Sequence, residues 1–292
     1  MHKFEIVTDS SCNLTEDMIE KTGIHVLSLA YIVEGVEKFS YVRGQIFDYK
    51  AFYQQLKNKA KASTSQVTTA QAEELIRPLL EQGKNVLYIG FSSALSGTFS
   101  AVQVALNALR EEFSNLKILE EDTLSASAGQ ALLVLGACKL RDEGASIEEA
   151  HKWVLEKKQK TNIYFTVDDL FHLQRGGRVS YGKAAIGSML NVKPILVVNK
   201  EGKLVPEGKA KGRKKSLDYL IEKMAERYKP EEGADVYVIH GDSEEDAKYV
   251  KQQVEQRFKV NKVEFTFLEP VIGVHAGPGV IGLVFMGEEK SS

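Results

Sequence analysis

Cysteine is scarce: Cys12 and Cys138 are the only two in 292 residues, in neither a metal-type spacing nor a C-x-x-C pair. That excludes a disulfide framework and a cysteine zinc site and leaves two buried or incidental thiols. No run approaches the ~18 apolar residues of a membrane-spanning helix. Neither sign of charge is in surplus: 38 basic against 40 acidic residues leave −2, so no global affinity for nucleic acid is expected. The opening string "MHKFEIVTDSS" lacks the apolar core of a signal peptide, which predicts a cytoplasmic protein. Several chemistries also lack their signatures. There is no G-x-x-x-x-G-K-[ST], no H-E-x-x-H or other metal spacing among the histidines, and no D-x-D after the first strand. "GFSSALSG" reads G-x-S-x-A from Gly90, which is not a nucleophile elbow. No metal, catalytic residue or cofactor is therefore assigned.

With 43% hydrophobic and 27% charged residues, the chain has the composition of an ordinary globular protein of about two domains. Its first half alternates strand and helix signals. "FEIV" (4–7), "NVLYIG" (85–90) and "LKILEE" (116–121) read as strands. Helical periodicity covers 47–60, 69–83 (with Pro78 inside), 96–113, 125–144 and 146–160, the last opened by a Ser146/Glu149 capping-box spacing. Such alternation predicts a parallel three-layer α/β/α domain over 1–160. From 161 to 292, strand signals outnumber helices and "NKEG" reads as a hairpin turn, predicting a mixed-sheet α/β domain.

Ligands of parallel α/β sheets bind outside the carboxyl ends of the strands. Here those ends are rich in hydroxyls: Thr8–Ser11, Thr64–Ser65, Ser92–Thr98 and Asp122–Ser127. Some are helix caps, but together they predict a neutral, donor-rich rim suited to an anionic oxygen group. "VIGVHAGPGVIGLVF" (271–285) contains G-x-G-x-x-G at Gly277, Gly279 and Gly282. A dinucleotide fingerprint needs a helix after it, and only a strand-like run and the end of the sequence follow. The glycines instead predict a tight turn holding His275 at the entrance of the last strand. A single histidine there is equally compatible with a structural role and with a ligand contact.

"TDSSCNL" (8–14), "STSQ" (63–66), "SSALSGTFSA" (92–101), "DTLSASAGQ" (122–130), "TVDDLFHLQRGGRVS" (166–180), "KPIL" (193–196), "KGRKK" (211–215) and "VIGVHAGPGVIGL" (271–283) occur in this order across the chain. Taken together they resemble the DegV family, the bacterial FakB-like fatty-acid-binding proteins. The resemblance implies a two-domain α/β fold with a long-chain fatty acid held between the domains. It implies carboxylate contacts from Thr64, Ser96 and His275, with Ser65, Ser93 and Gly97 as a supporting rim. It further implies that the chain is not itself an enzyme. It would be the lipid-binding component of a fatty acid kinase, presenting the carboxyl group to a separate ATP-binding subunit. That subunit makes the acyl-phosphate for phospholipid synthesis. One departure is Ala94, where a glycine is frequent.

The chemistry of such a ligand is consistent with these residue types. About fifteen buried methylenes at roughly 0.8 kcal/mol each give on the order of 12 kcal/mol before ordering costs, so the tail sets affinity and the polar groups set orientation. Neutral hydroxyls leave a carboxylate oxygen free to attack, where a bidentate arginine would occupy both. "KAKGRKK" (209–215) and "RGGR" (175–178) read either as solvated charge or as a docking surface for the kinase subunit or an anionic membrane, through Arg175, Arg178, Lys211, Arg213 and Lys214. The alternative function is a serine-dependent acyl hydrolase or transferase using Ser96 or Ser93 with His275, oriented by Asp9 or Asp122.

Overall fold

The computed structural model describes residues 4–168, 170–179, 191–233 and 235–291. Asp169 and Ser180 of the 166–180 motif lie outside the described residues. In chain order the elements are β1 (Phe4–Asp9), α1 (Glu16–Thr22), β2 (His25–Leu27), β3 (Ala30–Val33), β4 (Val36–Phe39), α2 (Tyr49–Lys57), β5 (Ala62–Ser65), α3 (Thr69–Glu81), β6 (Asn85–Gly90), α4 (Thr98–Glu112), β7 (Ile118–Asp122), α5 (Ser127–Asp142) and α6 (Ile147–Lys157). They continue with β8 (Thr161–Thr166), α7 (Phe171–Arg175), β9 (Val192–Val198), β10 (Leu204–Lys211), α8 (Arg213–Arg227), β11 (Asp235–His240), α9 (Glu244–Arg257), β12 (Lys262–Phe267), α10 (Pro270–Ala276) and β13 (Ile281–Met286).

Strands β2-β1-β6-β7 form a parallel sheet. Period-two alternation feeds two separate cores. Val7, Val86 and Tyr88 face α3 and α4, packing with Ile76, Val102 and Leu106. Phe4, Ile6, Leu87 and Ile89 face the other way, onto Ile19 of α1, Leu133 of α5 and Val154 of α6. Residues buried on both faces explain why these strands read as continuous apolar runs. The capping box at Ser146 and Glu149 is formed as the spacing predicts, and α3 runs through Pro78.

The second sheet is mixed, in the order β10-β9-β8-β13-β11-β12. The "NKEG" hairpin joins β9 to β10 antiparallel, with Asn199 Oδ1 accepting from the Glu201 and Lys203 amides. One face of this sheet, including Tyr164, Val238, Leu283 and Phe285, packs on α8 and α9. The other face presents Ile163, Phe165, Val198 and Ile239 to a core shared with α2, α5 and α10.

Two segments differ from the sequence reading. Thr64 and Ser65, read among the ends of the parallel strands, close strand β5 (Ala62–Ser65), the edge of a small antiparallel sheet ordered β4-β3-β5, just before helix α3. Pro270–Ala276, for which no element was read from the sequence, is helix α10, because Glu269 caps its free amides and Pro270 is the first helical residue. His275 therefore sits in the last turn of a helix. A tight turn through Gly277 and Gly279, at φ 78° and 80°, then leads into β13.

Candidate functional site

Between the inner face of the mixed sheet and the carboxyl end of the parallel sheet lies a cavity of about 390 Å³, within the usual range for small-molecule sites. Its two parts differ in kind. The deep part is apolar, built by Ile163 and Phe165 of β8, Val198 of β9, Ile239 of β11 and Leu268 before α10; all five are buried. Gly282 of β13 lies at the centre of this floor, paired with Phe165 on one side and Ile239 on the other. Lacking a side chain, it leaves a trough between its neighbours. Gly282 is thus not part of the turn the glycine string suggested.

The outer part is polar and reaches the surface. Thr64, Ser65 and Gln66 come from β5 and the residue after it, Ser96 and Gly97 from the start of α4, His275 from α10, and Arg178 from the segment after α7. Gln66, Gly97 and Arg178 are exposed. Thr64 Oγ1 and His275 Nε2 are hydrogen-bonded at 2.9 Å. Burial and the Arg178 and Arg175 guanidiniums push the His275 pKa down to about 4, so the imidazole is neutral at physiological pH. Ser96 Oγ pairs with Thr98 Oγ1 at 2.9 Å and accepts from the Thr98 amide. Gly176 is required by close approach to the His275 ring, while Gly97 lies against the movable end of Gln66. A Cβ on Gly97 would lie 2.1 Å from Gln66 Oε1, and one on Gly176 would lie 2.1 Å from His275 Nδ1.

Ser93 does not join this group. Its amide points at the Asp122 carboxylate and its side chain is absent from the cavity lining. Other hydroxyls read as rim are also turned inward. Thr8 Oγ1 donates to Ile89 O, Ser92 Oγ to Gly202 O, and Thr123 Oγ1 to Gly90 O, all with buried partners. These residues hold loops rather than face a ligand. Asp9 accepts from the Phe91 amide and the Tyr88 hydroxyl, anchoring the loop that carries Ser96. Asn13, at φ 59°, accepts from the Glu269 amide at 2.7 Å; Glu269 in turn accepts from the Val271 and Ile272 amides and opens α10. The "TDSSCNL" motif therefore positions His275 without touching the cavity.

The arrangement does not assemble a serine hydrolase. His275 Nε2 meets Thr64 rather than Ser96, and Asp9 and Asp122 are engaged with backbone amides elsewhere. The basic run also divides. Arg213 Nε pairs with Asp246 at 2.8 Å and its Nη2 donates to Gly279 O at 2.6 Å, fastening the start of α8 to the glycine turn. Lys211 and Lys214 are exposed, Lys214 lying 5.9 Å from the centre of the Tyr249 ring. Arg175 is exposed, and Arg178 donates to Leu95 O and Gly176 O across the cavity mouth. Sequence reading did not assign Gln66, Gly176 or Gly282 to the site and placed Arg178 only in a docking surface. All four stood inside quoted strings, and tertiary contacts bring them to the cavity.

Fold and site together define an α/β protein with an apolar cavity opening at a polar mouth. The model for an uncharacterised protein family, DegV, matches residues 3–288, and the chain belongs to the DegV family. A DegV domain-containing protein of Clostridium perfringens is 38% identical over 290 residues, covering 99% of each chain. Among solved structures, a fatty-acid-binding DegV family protein of Thermus thermophilus superposes with TM-score 0.86 at 27% identity, covering 99% of this chain and 100% of that one. DegV of Bacillus subtilis, a fatty acid binding protein, gives TM-score 0.80 at 31% identity with the same coverage. Among the described residues no helix is long and apolar enough to cross a membrane.

Proposed function

We propose that this chain binds a long-chain fatty acid in the cavity and presents its carboxyl group to a separate ATP-dependent kinase subunit, which forms the acyl-phosphate used in phospholipid synthesis. The observation that carries the reading is the polarity of the cavity: a buried apolar floor joined to a surface-reaching mouth where Thr64 and His275 are hydrogen-bonded. In this reading 1–160 and 161–292 act as two domains with the ligand between them. Thr64, Ser96 and His275 hold the carboxylate, with Ser65 and Gly97 beside them. The fatty-acid-binding relatives of similar fold support the lipid; the family resemblance alone supports the kinase.

A neutral His275 donates or accepts without adding charge, so the threonine and serine hydroxyls remain the head-group donors. Arg178 at the mouth adds one cation on the solvent side, attracting a carboxylate toward the opening. Burial of the tail supplies affinity at about 0.8 kcal/mol per methylene. Arg175, Lys211 and Lys214 are exposed basic groups that would face an acidic partner surface or a transient contact with an anionic membrane. The test combines mass spectrometry of organic extracts with binding and melting of the Thr64→Val/Ser96→Ala double variant. A stoichiometric fatty acid in the wild-type protein and weakened binding at an unchanged melting temperature are expected. Unaltered binding in the double variant removes these residues from the head-group site. Acyl-phosphate should form only when ATP and the kinase subunit are both added; formation by this chain alone refutes the division of labour.

A further inference from the structure

Among the described residues that line the cavity, one buried polar side chain has no partner. Ser127, the first residue of α5, lines the cavity at 5% exposure, and its Oγ is buried with no hydrogen-bond partner. A serine hydroxyl can rotate to serve almost any neighbour, so an orphan inside an apolar wall is costly unless a ligand completes it. The helix it opens runs Ser127–Asp142, and its N-cap is Ala126, which offers no side-chain acceptor to the free amides of the first turn. Both features ask for an oxygen. The first turn of α5 also abuts the apolar floor: a Cβ on Gly129 would lie 2.7 Å from Ile163 Cδ1, and Ile163 is a floor residue.

This place lies at the start of β8, where Thr161 Oγ1 donates to Ser125 Oγ, and its burial differs from that of the mouth. The mouth groups Gln66, Gly97 and Arg178 are exposed, whereas Ala126, Ser127 and Ile163 are all buried. Ser127 shares no hydrogen bond with the Thr64–His275 pair. It also holds an unusual backbone, at φ 50°, a conformation that costs a serine free energy.

On the reading that the cavity takes an acyl chain, we infer that Ser127 and the uncapped first turn of α5 form an inner polar subsite for an oxygen borne on the chain itself. The ligands it favours are oxygenated fatty acids, carrying a hydroxyl or keto group away from the carboxyl end. A neutral oxygen fits better than a second carboxylate, because the floor residues around Ser127 are apolar and a buried anion needs a partner cation. The subsite would distinguish oxygenated from plain chains, since a site with a hydrogen-bonding group discriminates against a ligand lacking one.

The experiment compares binding of stearic acid and of its positional series of monohydroxylated derivatives to delipidated full-length protein, in the wild type, Ser127→Ala and Ser127→Gly. In Ser127→Ala the best-bound hydroxylated isomer should weaken about fivefold or more relative to stearic acid, because its hydroxyl is then buried unpaired. Stearic acid itself should bind as well or slightly better. Ser127→Gly should show the same loss of discrimination and melt no lower than wild type, because glycine adopts φ 50° without penalty. If every isomer and stearic acid shift by one common factor, Ser127 does not select for oxygen and the subsite is refuted. If the wild type binds none of these acids, the acyl-ligand reading fails and the subsite with it.

Discussion

Gly282 gives the sharpest test of where an acyl chain would run. It lies in β13 with Phe165 and Ile239 as its cross-strand neighbours on the cavity face. A Cβ built there would meet Phe165 Cβ at 3.8 Å and Ile239 Cβ at 3.9 Å, ordinary contact distances, so the sheet has room for the Cβ that Gly282→Val introduces. It also replaces glycine by a better strand former, so the variant should melt no lower than wild type. The cost falls on the ligand. Valine places about three carbons in the trough and displaces about three methylenes of the chain, roughly 2.4 kcal/mol at 0.8 kcal/mol each. That is roughly fiftyfold in affinity for the longest acids. The assay is the dissociation constant across a series of saturated fatty acids of increasing length. In the wild type, affinity should rise about fourfold per methylene until the cavity is full. In Gly282→Val the plateau should arrive about three carbons earlier, with short acids unaffected. An identical plateau in both proteins refutes the placement of the tail over β13. A loss equal at all lengths refutes it too, since it would report on the head group instead.

Three further outcomes are expected. Arg213→Glu should lower stability measurably, because it breaks the contacts to Asp246 and Gly279 O that hold the glycine turn, whereas Lys214→Glu should leave melting unchanged and act, if at all, on the rate of partner association at low salt; equal melting of both refutes the structural role of Arg213. In ligand-free protein the His275 imidazole, held near pKa 4 against an ordinary 6.5, costs stability as pH falls from about 6.5 toward 4, since the unfolded chain takes up the proton first; denaturant titrations should show His275→Gln losing roughly 3 kcal/mol less than wild type over that window. Glu269 has the opposite signature: burial raises its pKa to about 8, the folded state keeps the proton longer, and stability falls as pH climbs from about 4.5 toward 8, a slope that Glu269→Gln should abolish, while keeping one of the two amide contacts that cap α10.

The local devices of this fold were legible from the sequence because they depend on near neighbours. The alternation in "FEIV" and "NVLYIG", the box at Ser146 and Glu149, and the hairpin at Asn199–Gly202 are set by side-chain period, capping chemistry and turn preference, all within a few residues. A strand after the glycine string was likewise readable, and β13 is that strand. Helix α10 over Pro270–Ala276 was not read because what makes it a helix is partly remote. Glu269 caps it, but Asn13, 256 residues away, holds Glu269 in place. The hydroxyl-rich strand ends looked alike in sequence, since a serine's type does not reveal its direction. Only the packed structure turned Thr8, Ser92 and Thr123 onto backbone carbonyls and left Thr64, Ser96 and Ser127 facing the cavity. Arg213 and Arg178 both stood in basic strings, yet one became a clasp and the other part of a mouth. Pattern and propensity are properties of a segment; a site is formed by segments far apart in the chain, and their meeting is decided by the burial of apolar faces that no single segment can complete alone.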